Sequence, residues 1–161
     1  MKKVLLATML FVGIAVSGFA QKGGLSIGLE AGLPVGSTSN GSSFAIGGSL
    51  KYEAPIATGT NFTVSAGYTS FLGKTIAGFK VPSFGAIPVK AGIKHFFGDA
   101  FYGEAQLGAA FSTQTGGGTL FVYSPGVGYK FSDVIDLGVR YEAWSKNGTV
   151  SQIGARLGFS F

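Results

Sequence analysis

Cysteine is absent from the 161 residues. That excludes a disulfide framework, a thiolate metal site and a lipid-modified cysteine following an export signal. Histidine occurs once, as His95. Metal sites and most hydrolytic triads use a histidine with partners, so no catalytic residue, metal or cofactor is expected. Charge is scarce: 12% of residues are charged, against 46% hydrophobic. That balance suits neither a disordered chain nor an ordinary soluble domain. After residue 20 no apolar run reaches the ~18 residues of a helical membrane span. Setting aside Lys2 and Lys3 leaves ten Lys/Arg against seven Asp/Glu, a net +3, too mild and scattered to point to nucleic acid. The 28 glycines follow no Gly-X-Y period, which excludes collagen.

What is present begins with an export signal. Lys2 and Lys3 precede the apolar run Val4–Val16, and Gly18 and Ala20 are small residues placed for cleavage before Gln21. Residues 1–20 are read as a cleavable signal peptide and 21–161 as one domain, with no linker or second domain visible.

The mature sequence then alternates with a period of two. In the stretch Val150–Phe161, Ile153, Ala155, Leu157, Phe159 and Phe161 share one parity, and Gln152, Gly154, Arg156, Gly158 and Ser160 the other. One face of such a strand is apolar and the other polar or tiny. Seven more stretches behave alike: Gly24–Leu33, Ser43–Glu53, Asn61–Ser70, Phe84–Phe97, Phe101–Phe111, Thr119–Phe131 and Val134–Trp144. Each is near the ~9–11 residues that a tilted transmembrane strand needs. Pro88 is expected to cost a ladder bond and Pro125 to make a bulge or kink. Long connections (Pro34–Ser42, Phe71–Ser83, Ser112–Gly118, Ser145–Thr149) alternate with tighter ones (Ala54–Thr60, Gly98–Ala100, Ser132–Asp133). An exposed apolar edge strand in water invites aggregation. A closed barrel in a bilayer pairs that edge and gives the apolar face to lipid. The predicted fold is therefore all-β: an eight-stranded antiparallel up-and-down transmembrane β-barrel. Aromatics near the strand ends on the outward parity, among them Tyr52, Tyr68, Phe101, Tyr129 and Tyr141, would form the interfacial girdles.

At this point the mature chain resembles the small bacterial outer-membrane β-barrel proteins of the OmpA-transmembrane and OmpX-like eight-stranded type. The likeness rests on Gly18-Phe19-Ala20, Ile87-Pro88-Val89-Lys90-Ala91-Gly92, Phe101-Tyr102-Gly103-Glu104 and Leu157-Gly158-Phe159-Ser160-Phe161. It implies residence in the cell outer membrane, with outer-membrane lipid and the barrel-assembly machinery as partners. It also makes Phe159 and Phe161 the signal read by that machinery. A monomer is expected, with loops available to an extracellular ligand.

The inward parity carries Glu30, Lys51, Glu53, Lys90, Lys94, Glu104, Gln106, Asp136, Arg140, Glu142 and Arg156. Eight strands leave room only for side chains inside, and a buried charge needs a partner. A lumen network of Glu30, Lys90, Lys94, Glu104, Arg140, Glu142 and Arg156 is expected. If Asp99 centres its turn, Lys94 lies opposite Glu104. If Gly148 centres the last loop, Arg140 lies opposite Arg156, and Glu142 and Glu30 must neutralise the pair.

Two further features point nowhere specific. Gly73-Lys74-Thr75 looks like the end of a phosphate loop, but Tyr68 stands where the motif requires glycine. Lys74, Lys80 and Lys146 are the only charges in the long loops and could meet phosphates of the outer leaflet. The leading expectation is a non-enzymatic barrel with a side-chain-filled lumen and a structural, adhesive or envelope-stabilising role. A narrow pore for small or hydrophobic solutes is the alternative. A lipid-modifying enzyme or a soluble ligand-binding barrel is a weaker fit.

Overall fold

A computed structural model describes residues 24–161, so the signal segment lies outside the described residues. Among the described residues there are ten strands: β1 Gly24–Val35, β2 Ser42–Ala57, β3 Thr60–Gly73, β4 Thr75–Ile76, β5 Phe79–Lys80, β6 Phe84–Phe96, β7 Phe101–Ser112, β8 Thr119–Lys130, β9 Ile135–Ser145 and β10 Thr149–Ser160. Eight of them close into one antiparallel barrel, in the order β1-β10-β9-β8-β7-β6-β3-β2, while β4 and β5 form a separate two-stranded ribbon. Closure runs from Ser26↔Ser160 to Val35↔Ser151. Phe161 N–H donates to the Leu25 carbonyl at 3.0 Å.

Registry fixes the barrel's width. Paired residues lead from Leu25 through Tyr52, Val64, Ala91, Leu107, Tyr123, Ala143 and Ser151 back to β1 at Val35, ten residues from the start. With usual strand spacings that stagger gives a tilt of roughly 40° and a backbone radius of about 8 Å. Opposed side chains fill such a cylinder. The shortest barrel strand has 11 residues, which at this tilt rises about 27 Å and crosses the ~25 Å apolar band of an outer-membrane barrel.

The alternation decides which way side chains point. Ile27, Leu29, Leu33, Leu107, Phe121, Val127 and Ile153 lie exposed on the outer wall, while Lys51, Lys90, Lys94, Asp136, Glu142 and Arg156 are buried inside. A water-soluble barrel would show the reverse, so the wall is built for lipid. Exposed aromatics gather at both ends of it. Phe97 packs near Phe101 and Tyr129 against Phe131 at the turn end, and Phe121, Tyr123 and Tyr141 lie together at the loop end.

Several connections depart from expectation. The first long loop is shorter than Pro34–Ser42, because β1 continues through Pro34 to Val35 and Thr38–Gly41 makes one helical turn, α1. The connection Ala54–Thr60 shrinks to Thr58-Gly59, because β2 runs on past a register shift between Pro55 and Ala57. The connection Phe71–Ser83 is also mostly structured. Phe71 to Gly73 extend β3, and the ribbon follows. The ribbon turns at Ala77 (φ 49°) and Gly78 (φ 83°), a left-handed pair that suits the twist of a two-residue hairpin. Ala77 holds that conformation at a cost of roughly 1–2 kcal/mol.

Pro125 makes no bulge. The β8–β9 pairing keeps one register on both sides of it, passing from Tyr123↔Ala143 to Gly126↔Arg140, with the ladder interrupted between. Pro88 interrupts the β3–β6 ladder likewise, between Ala66↔Val89 and Thr69↔Ala86. Each proline removes one donor without inserting a residue.

Candidate functional site

The interior is built in two tiers. At the loop end, inward positions are apolar. Ala45, Phe71, Ala86, Ala110, Val122 and Trp144 form a buried cluster, with Phe84, Leu120 and Val150 packed on it. Phe71 stacks on Phe84 with ring centres 4.8 Å apart and meets Trp144 edge-on at 5.2 Å. Sequence reasoning assigned Phe71 to a loop and so missed this plug. The signal was available, since the inward parity turns from charged to apolar toward the loop end of β2, β6, β7, β8 and β9, and from polar to apolar along β3.

Beneath the plug the inward positions are ionic. Trp144 Nε1 donates to Glu142 Oε1 at 3.0 Å, which joins the tiers. Glu142 also accepts from Lys90 across the barrel and lies 3.2 Å from Arg140 Nε. Arg140 Nη2 donates to Glu30 Oε2 at 2.6 Å, and Ser49 Oγ donates to Glu30 Oε1 at 2.6 Å. Arg156 lies 3.9 Å from both Glu30 and Asp136 and donates to Ser49 and Ser26 at 3.1 Å. Toward the turn end, Lys51 bridges Glu53 at 2.9 Å and Glu104 at 3.2 Å, and Lys94 reaches Glu53 at 2.9 Å. Tyr102 Oη donates to Asp136 at 2.8 Å, with the Lys94 ammonium 3.9 Å above its ring. Five acids face five bases, so the lumen is neutral, as a low-dielectric interior requires.

Small residues make this possible. The Arg156 guanidinium fills the space where a side chain at Gly28 would stand, and the Tyr102 ring does the same over Gly128.

All seven residues of the expected network line this lumen, yet two pairings differ. Lys94 and Glu104 are register partners, but their ion pairs go to Glu53 and Lys51 instead. In both cases the inward side chain passes over its register partner to a carboxylate or ammonium on a strand that is not its neighbour. Arg140 does not oppose Arg156. Ser145 pairs with Thr149, so the last hairpin centres on Asn147, and Arg140 faces Gly154 while Arg156 faces Gly138. Lys51, Glu53 and Asp136, left out of the expected network though on the inward parity, are full members.

Glu104 offers a graded test. Its removal leaves Lys51 held by Glu53, so Glu104→Ala is expected to lower the unfolding temperature measurably, by about 1–2 kcal/mol of stability. A melting curve matching wild type would remove this pair from the account.

Little space remains. The ionic tier encloses about 20 Å³ among Lys51, Tyr102, Glu104, Arg140 and Arg156, roughly the room of one water. A vestibule of about 220 Å³ opens at the turn end beside Glu53, Lys94, Lys130, Asp133 and Asp136. There the Lys130 ammonium, 2.7 Å from Asp133, holds that carboxyl below its ordinary range.

The remaining candidates lie outside the lumen. His95 is exposed near the turn end, its Nδ1 2.8 Å from Thr60 Oγ1 and its ring edge-on to Phe97. Among the described residues no three His, Cys, Asp or Glu side chains converge as metal ligands do. Of the loop lysines, Lys74 donates to the Ser39 carbonyl at 2.7 Å and Lys146 to that of Gly117 at 3.4 Å. Both tie loops together, while Lys80 lies exposed on the ribbon. Phe159 is half-buried and Phe161 is 78% exposed on the outer wall.

No protein-family model and no curated protein matches the chain. Solved structures do. The outer membrane protein Ail of Yersinia pestis, in a phospholipid bilayer nanodisc, aligns at a TM-score of 0.63 and 17% identity, covering 87% of this chain and 100% of that one. The N-terminal β-barrel domain of Pseudomonas aeruginosa OprF gives 0.62 and 12%, covering 87% and 98%. The de novo designed barrel TMB2.3 gives 0.58 and 20%, covering 86% and 95%. A second Ail structure, a complex with the heparin analogue sucrose octasulfate, aligns at 0.60 and 18%, covering 88% and 100%. With its apolar wall, neutral ionic lumen and eight-strand closure, the chain has the fold of the small transmembrane β-barrels of bacterial outer membranes.

Proposed function

We propose that the protein is an integral barrel of the bacterial outer membrane, exported by residues 1–20, that conducts no solute and serves the envelope in a structural or adhesive role without catalysis. The observation that carries this reading is the double closure of the lumen, by the Phe71–Phe84–Trp144 plug and by a neutral ion network around a space of about 20 Å³. Neither a hydrated ion nor a small solute has a path. In planar bilayers the purified barrel is expected to show no unitary current steps. Regular single-channel steps would favour the narrow pore.

The adhesive part rests on the loop end, where Lys74, Lys80 and Lys146 stand with no Asp or Glu in the four long loops. Such an end attracts anions, either phosphates of the outer leaflet or an extracellular polyanion. Binding of a heparin analogue by Ail, a barrel of the same fold, supports the second source.

Phe159 and Phe161 are proposed as the signal for the barrel-assembly machinery. Phe161→Ala is then expected to cut the folded, heat-modifiable fraction in cell membranes several-fold while leaving refolding in detergent unchanged. An equal loss in detergent would make Phe161 a stability residue instead.

A further inference from the structure

The ribbon β4–β5 presents an apolar face that neither the barrel nor the plug covers. Ile76 and Phe79 are directly paired across it and so share a face, with Thr75 and Lys80 paired on the other. Phe79 is 81% exposed, the most of any large hydrophobic residue in the described chain.

The base of the ribbon is tethered. Lys74 N–H donates to the Gly41 carbonyl at 2.9 Å, Val81 N–H to that of Lys74 at 2.8 Å, and Gly73 N–H to Ser83 Oγ at 3.1 Å. The tethers hold the ribbon out from the barrel and keep Phe79 in the open.

We propose that this ribbon is a second membrane-contacting element. It lays Ile76 and Phe79 into the headgroup–acyl boundary of the outer leaflet and sets Lys80 against a lipid phosphate. Three observations select that occupant. The ribbon continues directly from β3, whose outward Tyr68 and Leu72 already belong to the lipid-facing wall. An aromatic beside a lysine is the pairing found at membrane interfaces, the ring at headgroup depth and the ammonium reaching outward. None of the four long loops carries an acid that would repel phosphate. A protein partner fits poorly, since two apolar side chains fall far short of the ~1,200 Å² that a stable protein interface buries. The inference rests on the outer-membrane reading above and adds a specific lipid contact to it.

The absence of cysteine provides the test, because Phe79→Cys and Thr75→Cys each create a single labelling site. Nitroxide-labelled full-length protein is reconstituted in bilayers with phosphate-bearing lipid, and the label's collisions with oxygen and with a water-soluble nickel chelate are compared by electron paramagnetic resonance. The oxygen-to-nickel ratio is expected to be several-fold higher at position 79 than at 75. It should fall at 79 when Lys80→Gln is added or when the lipid lacks phosphate. Equal ratios at 79 and 75 would overturn the insertion, and no response to Lys80→Gln would overturn the phosphate contact. Spin–spin broadening that grows with protein density would replace the lipid with a second copy. A heat-shifted gel band confirms folding of each variant, and silence in planar bilayers keeps a failed ribbon separate from a failed barrel reading.

Discussion

Glu142→Ala is expected to destabilise the barrel by about 3–5 kcal/mol, the range for removing one partner of a buried ion pair. Glu142 is 1% exposed. It receives the Lys90 ammonium, the Arg140 guanidinium and the Trp144 indole. Deleting it removes the one carboxylate within 4 Å of the Lys90 ammonium among the described residues and leaves only the more distant charge of Glu30, whereas Arg140 keeps Glu30 at 2.6 Å. The damage is therefore focused on one ammonium in a dry interior. A double variant, Lys90→Met with Glu142→Leu, should recover most of the loss, because apolar residues of similar volume often replace a buried pair at little cost. Urea unfolding in lipid vesicles, followed by Trp144 emission, measures both. A Glu142→Ala barrel as stable as Glu104→Ala would overturn this hierarchy, since loss of Glu104 leaves its lysine a second carboxylate within 4 Å and loss of Glu142 does not.

Trp144→Ala is the second large effect, and it has two readouts. The indole is 1% exposed, packs on Phe71 and hydrogen-bonds to Glu142. Truncating it should cost about 3–5 kcal/mol through lost burial and the cavity left behind. The same cavity lies in the apolar tier that seals the loop end, so water gains a way to the ionic tier. Small, flickering conductance steps are expected in planar bilayers where the parent is silent. Trp144→Phe keeps most of the volume but not the N–H donor, so it should lose about 1–2 kcal/mol and stay silent. A destabilised but electrically silent Trp144→Ala would show that the ion network alone closes the bore.

These two residues also show where sequence reasoning stops. That Glu142 and Trp144 point inward follows from alternation along β9, where Leu137, Val139 and Tyr141 take the other face. That Glu142 meets Lys90 does not follow. The two are on strands that are not neighbours, and their meeting depends on how far the sheet is staggered when it closes. Arg140 makes the same point. Centring the last loop on Gly148 instead of Asn147 moves the β9–β10 register by two residues and sets two arginines face to face. Phe71 is a different case: it falls at the start of the stretch Phe71–Ser83 that reads as a connection, although its parity matches the inward side of β3.

Side-chain direction is a local property of an extended chain, because successive residues point to opposite faces whatever the partner strand. The amino-acid order therefore settled, unaided, that this protein makes eight barrel strands, turns its apolar face outward, and keeps its charges inside. The tertiary structure alone decided which acid meets which base, that an aromatic plug caps the bore, and that a tethered ribbon holds Phe79 in the open. The ribbon is set by its own tethers; the pairing of charges and the meeting of plug residues across the bore are set by a ten-residue stagger accumulated around the whole barrel. No single stretch of the chain contains that quantity.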